Sequence, residues 1–86
     1  MKEIGKAIKG VIKMRGMQMK DVAKKMGISK QDMNYHINVK DDSLWGIKEV
    51  REWCRVIGMR ERGIKRLEGL CGDYREYIEW GEERDE

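Results

Sequence analysis

MKDVAKKMGISKQDMNYHIN, residues 19–38, is the stretch whose spacing decides the fold. Apolar residues recur in it at three- and four-residue intervals, which predicts two short helices, Met19–Met26 and Lys30–Ile37. A tight turn at residues 27–29 joins them. Two short helices around such a turn are the outline of a helix-turn-helix segment, and we expect the rest of the chain to pack around it.

Four residues of this helix-turn-helix segment have a specific structural reason. Ala23 supplies the small side chain that two helices need where they cross closely. Gly27 lets the first helix end in a left-handed residue without a steric penalty. We expect Ser29 to cap the second helix, and Asp32, three residues later, to reach back to it as a variant of the capping box.

Helices are also predicted on both sides of this segment, because the apolar spacing continues there. Their ranges are 2–14, ended by Gly16; a fourth helix that is capped by Asp42 or Ser43, buries Leu44, Ile47, Val50, Trp53, Cys54 and Ile57, and is ended by Gly58; 61–70; and 74–83, capped by Asp73 with Glu76 at the capping-box position. We therefore predict an all-α fold: a compact four- to five-helix domain at residues 1–60 and a C-terminal helical extension at residues 61–86.

The composition bounds the chemistry. A chain of 86 residues allows one domain with a modest core. Cys54 and Cys71 are seventeen positions apart and the chain has a single histidine, so we expect no zinc site, no metal, no cofactor, and two reduced, partly buried thiols. With no catalytic arrangement of residues and no phosphate-binding glycine loop, we expect no enzyme.

The ends and the apolar runs of the chain bear on its location. It contains no signal peptide, no transmembrane run and no lipidation motif. We therefore expect a cytoplasmic protein with no membrane contact and no evident small-molecule ligand.

The charges are unevenly distributed along the chain. Residues 1–60 carry fourteen Lys and Arg against seven Asp and Glu, whereas residues 61–86 carry five against nine. Within residues 1–40 the ratio is ten basic residues to three acidic ones. This excess lies in or beside the helix-turn-helix segment and indicates a polyanionic partner, although a solvated lysine surface kept for solubility is the alternative.

From Ile4 to Met59 the chain resembles the lambda-repressor-like, or XRE-type, helix-turn-helix regulators of phages and bacteria. The matching residues are Ile4-Gly5, Ile8 and Val11 in the first helix, Gly16-Met17, Val22-Ala23, Met26-Gly27-Ile28-Ser29, and Trp53-Cys54 with Ile57-Gly58-Met59. The chain departs from the family where Gln18-Met19 replaces the usual Ser or Thr followed by Gln, and where Ile37 and Val39 replace Glu and Gly.

The resemblance implies that the chain is a sequence-specific regulator, a phage- or prophage-type repressor, that binds double-stranded DNA. It places the second helix of the helix-turn-helix segment in the major groove, where each base pair presents a different hydrogen-bonding pattern. The residues expected to point outward and read bases are Lys30, Gln31, Asn34 and Tyr35. Tyr35 has a structural alternative, in which its ring covers the seam between the helices.

Phosphate contacts are expected near the ends of the same two helices. The candidates are Gln18, Lys20, Lys24, Asn38 and Lys40. His36 stands where relatives usually have an apolar residue, and we interpret it as a half-buried hydrogen-bonding group rather than a pH sensor.

Relatives bind a two-fold operator as homodimers, so a dimer surface is expected. The candidates lie in the C-terminal extension: Ile64, Leu67, Cys71, Tyr74 and Ile78. The alternative is that this extension folds over the first and fourth helices and completes the core of the monomer.

A second class of function stays open. On the same fold, the extension could hold another protein, as in an antitoxin-like or inhibitory adaptor. The operator, the regulated gene, the direction of regulation and any inducer lie beyond what the residues indicate.

Overall fold

A computed structural model describes residues 3–76, and within that range the chain is all-helical, with no strand. Five α-helices follow one another, with a single 3-10 turn, Asp42–Leu44, between the third and the fourth. The helices are α1, Glu3–Met14; α2, Met19–Met26; α3, Lys30–Ile37; α4, Ile47–Val56; and α5, Glu61–Glu68. The all-α prediction is confirmed. Most of the predicted helix at 74–83 lies outside the described range.

The predicted bounds of α2 and α3 are confirmed residue for residue. Gly27 has a φ of 71°, the left-handed conformation that ends α2, and the hydroxyl of Ser29 accepts a hydrogen bond from the Asp32 N–H at 3.0 Å. The return bond from the Asp32 carboxylate is not formed, so only half of the expected capping box exists. Gly16 and Gly58, also at positive φ, follow α1 and α4 as predicted.

The start of α4 differs from the prediction. Neither Asp42 nor Ser43 caps this helix, because both belong to the 3-10 turn, and Gly46 is the N-cap instead. As a consequence Leu44 is 72% exposed rather than buried, while Trp45 is 2% exposed and packs in the core. The inserted turn changes which side of the chain faces inward before α4 begins.

Two helices are capped by carboxylates that are distant in sequence. The side chain of Asp42, itself buried, accepts hydrogen bonds from the backbone N–H groups of Glu3 at 3.1 Å and Ile4 at 3.0 Å. Asp73 accepts one from the Ile47 N–H at 3.0 Å, at the first turn of α4. Asp73 was predicted to cap the helix that follows it, and the hydrogen bond shows that it caps α4 instead. Both aspartates satisfy N–H groups that have no partner within their own helix.

One hydrophobic core extends from α1 to Cys71. Ile64, Leu67 and Cys71 are among its buried members, at 4%, 4% and 6% exposure. The extension therefore completes the core of the monomer, and residue 60 does not separate two cores. These three side chains are wrong as dimer contacts in this conformation, because they leave almost no surface for another chain. Tyr74 is half-buried against the same core, and Ile78 lies outside the described residues.

A charged cluster joins α5 to α4. Arg51 of α4 pairs with the buried carboxylate of Glu68, and its guanidinium also lies 3.7 Å from a carboxylate oxygen of Glu61. A buried carboxylate requires such a partner because it has lost its hydration. The orientation of α5 on α4 thus depends on this pair as well as on apolar packing.

Candidate nucleic-acid interface

The outer face of α3 carries four of the predicted site residues side by side. Lys30, Gln31, Asn34 and Tyr35 are all exposed, as the helical spacing predicted. On the opposite face Met33 is fully buried and Ile37 is 4% exposed. A helix anchored in this way holds its outer side chains at fixed positions, and it presents amide, ammonium and phenol groups to solvent in one row.

Tyr35 does not cover the seam between helices. Its side chain is 73% exposed, and its ring contact is an edge-on one with the neighbouring His36, at 5.8 Å between centroids. The packing alternative for this tyrosine is therefore wrong, and its phenol is available for an external contact.

The inner side of α3 lies unusually close to α1. A Cβ built on Gly5 would overlap the carbonyl oxygen of Ile37, in the last turn of α3. Only glycine permits this approach of one backbone to another. Gly5 therefore sets how deeply the end of α3 sits in the fold, although the sequence suggested only that it weakens α1.

An aromatic cluster holds α3 against α4. The His36 ring lies 5.9 Å from that of Trp53 and 6.1 Å from that of Trp45, and the two tryptophans meet edge to face at 5.5 Å. His36 Nδ1 is also 3.5 Å from a carboxylate oxygen of Glu49. The prediction of a half-buried, hydrogen-bonding histidine agrees with this position. The indole N–H of Trp45 is buried and has no protein partner in the cluster.

The phosphate-contact candidates lie around the ends of α2 and α3, and all of them are exposed: Gln18, Lys20, Lys24, Asn38 and Lys40. Gln18 is the N-cap residue of α2, but its side chain makes no capping hydrogen bond. Asn38 is partly occupied, because its side-chain amide donates to the Asn34 carbonyl at 2.9 Å and so closes the end of α3.

The charge of this surface is positive. Residues 18–40 contain five lysines and two aspartates, and all seven side chains are exposed. No ion pair between described residues involves any of the five lysines. Their charges are therefore directed to solvent, where they attract anions.

The thiols are distant from reactive chemistry. Burial raises the pKa of Cys54 from its ordinary value of 9.0 to about 12, and the nearby carboxylate of Glu68 adds to the shift. Burial likewise raises the pKa of Cys71 to about 12, with a further contribution from Asp73. Both are free cysteines, and Cys71 donates its S–H to the Leu67 carbonyl at 3.5 Å.

Two surveys of residues 3–76 bear on other kinds of site. They contain no group of three or more His, Cys, Asp or Glu side chains that is placed to hold a metal ion. None of the helices in this range combines the length and apolar character needed to cross a bilayer.

The residues that position α3 were mostly missed from the sequence. Gly5 and Trp45 act through contacts more than thirty and eight positions away in the chain, and local spacing does not report such contacts. Asp42 carried a partial signal, since it was recognised as a capping residue but was assigned to the wrong helix.

The comparisons with known proteins add no relative. No protein-family model, no curated protein and no solved structure matches this chain.

Proposed function

We propose that the protein is a sequence-specific regulator that binds double-stranded DNA as a homodimer, a cytoplasmic repressor of the lambda-repressor-like kind that its sequence resembles. The observation that carries this proposal is the outer face of α3. Four exposed side chains able to contact bases stand on a helix whose inner residues are locked in the core, and unpaired lysines surround them. That combination suits a helix entering the major groove of a polyanion.

The side chains of α3 match the chemistry of base edges. The amides of Gln31 and Asn34 have the paired donor and acceptor that adenine presents in the major groove. Lys30 can donate to the acceptors of guanine, and the exposed phenol of Tyr35 can pack on a thymine methyl or donate to a phosphate. On this proposal these residues specify the sequence, while Gln18, Lys20, Lys24, Asn38 and Lys40 contact the backbone.

The arrangement of the fold supports two levels of precision. Gly5, the aromatic cluster and the Ser29 cap fix α3 relative to α1 and α4. A rigid recognition helix orders few groups on binding, and less binding energy is then lost to conformational entropy. Because a single small domain buries little surface on DNA, two copies on two half-sites are expected for specific affinity.

Selection from a random duplex library tests the proposal. We expect enrichment of one site with two-fold symmetry, and binding that weakens steeply with salt, because neutralised phosphates release counterions. Enrichment of no sequence, or affinity that is independent of salt, would show that the protein is not a sequence-specific DNA-binding regulator.

A protein-interaction module is the second candidate. Two large apolar side chains, Met14 and Leu44, are exposed outside the α3 face, as in proteins that hold a partner. The discriminating variant combines Lys30→Glu with Asn34→Ala. It should abolish the function of a DNA-binding regulator in the cell, whereas an adaptor that works through another face would keep its activity.

A further inference from the structure

An apolar groove lies between α1 and α5, on a surface that does not include the outer residues of α3. It has a volume of about 300 Å³ and is lined mainly by Ala7, Val11, Met59, Gly63, Leu67 and Leu70. A second hollow of about 410 Å³ shares Val11 and Met59 with it and continues to Met14, Arg15 and Arg60. The two hollows form one continuous surface, which we call the α1/α5 face.

We propose that the α1/α5 face is where a second copy of this chain docks, with the two α1 helices antiparallel across a two-fold axis. This inference rests on the proposed function for its expectation of a dimer, and it assigns the dimer to residues other than those of the C-terminal extension. Its occupant is identified by shape and by charge, as follows.

The α1/α5 face carries both halves of a self-complementary contact. Met14, in the last turn of α1, is 86% exposed and projects beside the hollow rather than into the core. A two-fold interface uses the same patch on both copies, so a patch needs its own projection and its own recess. The long, flexible Met14 side chain of one copy fits the groove of the other, where it becomes buried.

The helix face toward this groove also permits close approach. Along α1, the positions 3, 7, 10 and 14 follow the alternating four- and three-residue spacing of helices that pack side by side. Ala7 and Gly10 stand at its middle, and a Cβ on Gly10 would meet no atom within 4 Å. An exposed glycine inside a helix is unfavourable in a monomer, whereas at the crossing point of two helices it lets the backbones approach.

The charges favour the antiparallel arrangement. Glu3 lines the groove at the first turn of α1, and Arg60 lines it beside the last turn, about 18 Å along the helix axis. Neither has an ion-pair partner among the residues described. An antiparallel two-fold axis places Glu3 of each copy next to Arg60 of the other. The same pair therefore forms twice, whereas a parallel arrangement would oppose like charges.

The molar mass of the free protein, measured by sedimentation equilibrium from about 1 µM to about 1 mM, tests this surface directly. We expect a reversible dimer in wild type and a dimer about 100-fold weaker in Met14→Glu, since the charge is introduced twice per dimer and each costs about tenfold. Leu44→Glu is the matched control, because Leu44 is similarly exposed but lies outside both hollows. A wild type that stays monomeric, or equal losses in both variants, would overturn the inference.

Charge reversal provides a second test that does not depend on apolar burial. Glu3→Arg and Arg60→Glu should each weaken the dimer, and the two combined should restore it. If the combined variant is as weak as the single ones, the antiparallel pairing is wrong. Thermal unfolding of each variant shows whether the monomer stays folded.

Binding to a duplex with one half-site separates this inference from the proposed function. Met14→Glu should bind one half-site like wild type and lose its advantage on a two-fold site. Half-site binding by a protein that never dimerises through this face would refute the dimer surface alone. A dimer that forms through this face and binds no DNA would refute the proposed function alone.

Discussion

Gly5 of α1 lies so close to the Ile37 carbonyl at the end of α3 that a Cβ on Gly5 would overlap its oxygen. The neighbour is backbone, which cannot rotate away as a side chain can. We expect Gly5→Ala to destabilise the protein by about 1–3 kcal/mol, the usual cost of overpacking. Gly10→Ala is the matched control on the same helix and should stabilise the monomer by about 0.5–1 kcal/mol.

Urea unfolding of both glycine variants, at a concentration low enough to keep the chain monomeric, measures this difference. If Gly5→Ala also binds DNA more weakly than its loss of stability explains, the Gly5 contact positions α3 as well as stabilising it. Equal stability changes in the two variants would contradict the close approach.

Asp42 satisfies two N–H groups at the start of α1 from a buried position. We expect Asp42→Ala to lower the free energy of unfolding by about 2–3 kcal/mol, because both donors are left without an acceptor and one of them is buried. Asp41→Ala removes a neighbouring exposed carboxylate that accepts only from the Ser43 N–H, and its effect should be smaller. Thermal unfolding followed by circular dichroism compares the two, and equal losses would argue against the remote cap.

Arg51 is the partner of the buried Glu68 carboxylate. Arg51→Met should destabilise the protein by about 2–3 kcal/mol; the full cost of an unpaired buried charge is reduced here because the arginine side chain is itself 29% exposed. Replacing both residues, Arg51→Met with Glu68→Leu, should recover most of that loss. A double-mutant cycle in urea gives the coupling, and a cycle with no coupling would show that the pair contributes nothing.

Asn34 and Lys24 should have different effects on DNA binding if α3 reads bases. Replacing Asn34 with Ala should cost about 1–3 kcal/mol at one base position and relax specificity there. Replacing Lys24 with Ala should weaken all sequences alike and reduce the salt dependence by about one phosphate contact. Affinities for the selected site and its single-base variants separate the two patterns. Uniform losses in both would place the recognition surface elsewhere.

The two buried thiols predict a specific loss of stability at alkaline pH. The folded-state pKa of Cys54 and of Cys71 is raised to about 12 from 9.0, so the unfolded chain loses thiol protons first as the pH rises. Their contribution is therefore complete below pH 9 and is lost progressively between pH 9 and 12. Unfolding of wild type minus that of the Cys54→Ala, Cys71→Ala double variant isolates this term. A difference that stays constant with pH would contradict it.

Local signals in the sequence were sufficient where one helix depends on its own residues. The bounds of α2 and α3 follow from apolar spacing, from Gly27 in a left-handed conformation and from Ser29 as a cap, all within a few positions. The outward direction of Lys30 and Asn34 follows from the same spacing. What these side chains bind is a prediction that the DNA experiments address.

Asp42, Asp73 and Leu44 show where local signals fail. Each aspartate has the side chain of a helix cap, but the N–H groups it satisfies belong to α1 and α4, which only folding brings near. Leu44 continues an apolar spacing, yet the 3-10 turn rotates it into solvent and buries Trp45 instead. A hydrogen bond or a packing contact between distant residues has no local signature in the chain.

The sequence by itself determined the helical character of the chain, the two helices around Gly27 and the positive face that they present, because helix periodicity, capping and charge are local properties. The tertiary structure decided which residues complete the core. Ile64, Leu67 and Cys71, apolar residues equally suited to a dimer, are buried within one chain because α5 lies on α4. The same packing leaves Met14 and the α1/α5 groove uncovered. Apolar spacing shows that a helix face must be buried, but only the folded chain shows against what.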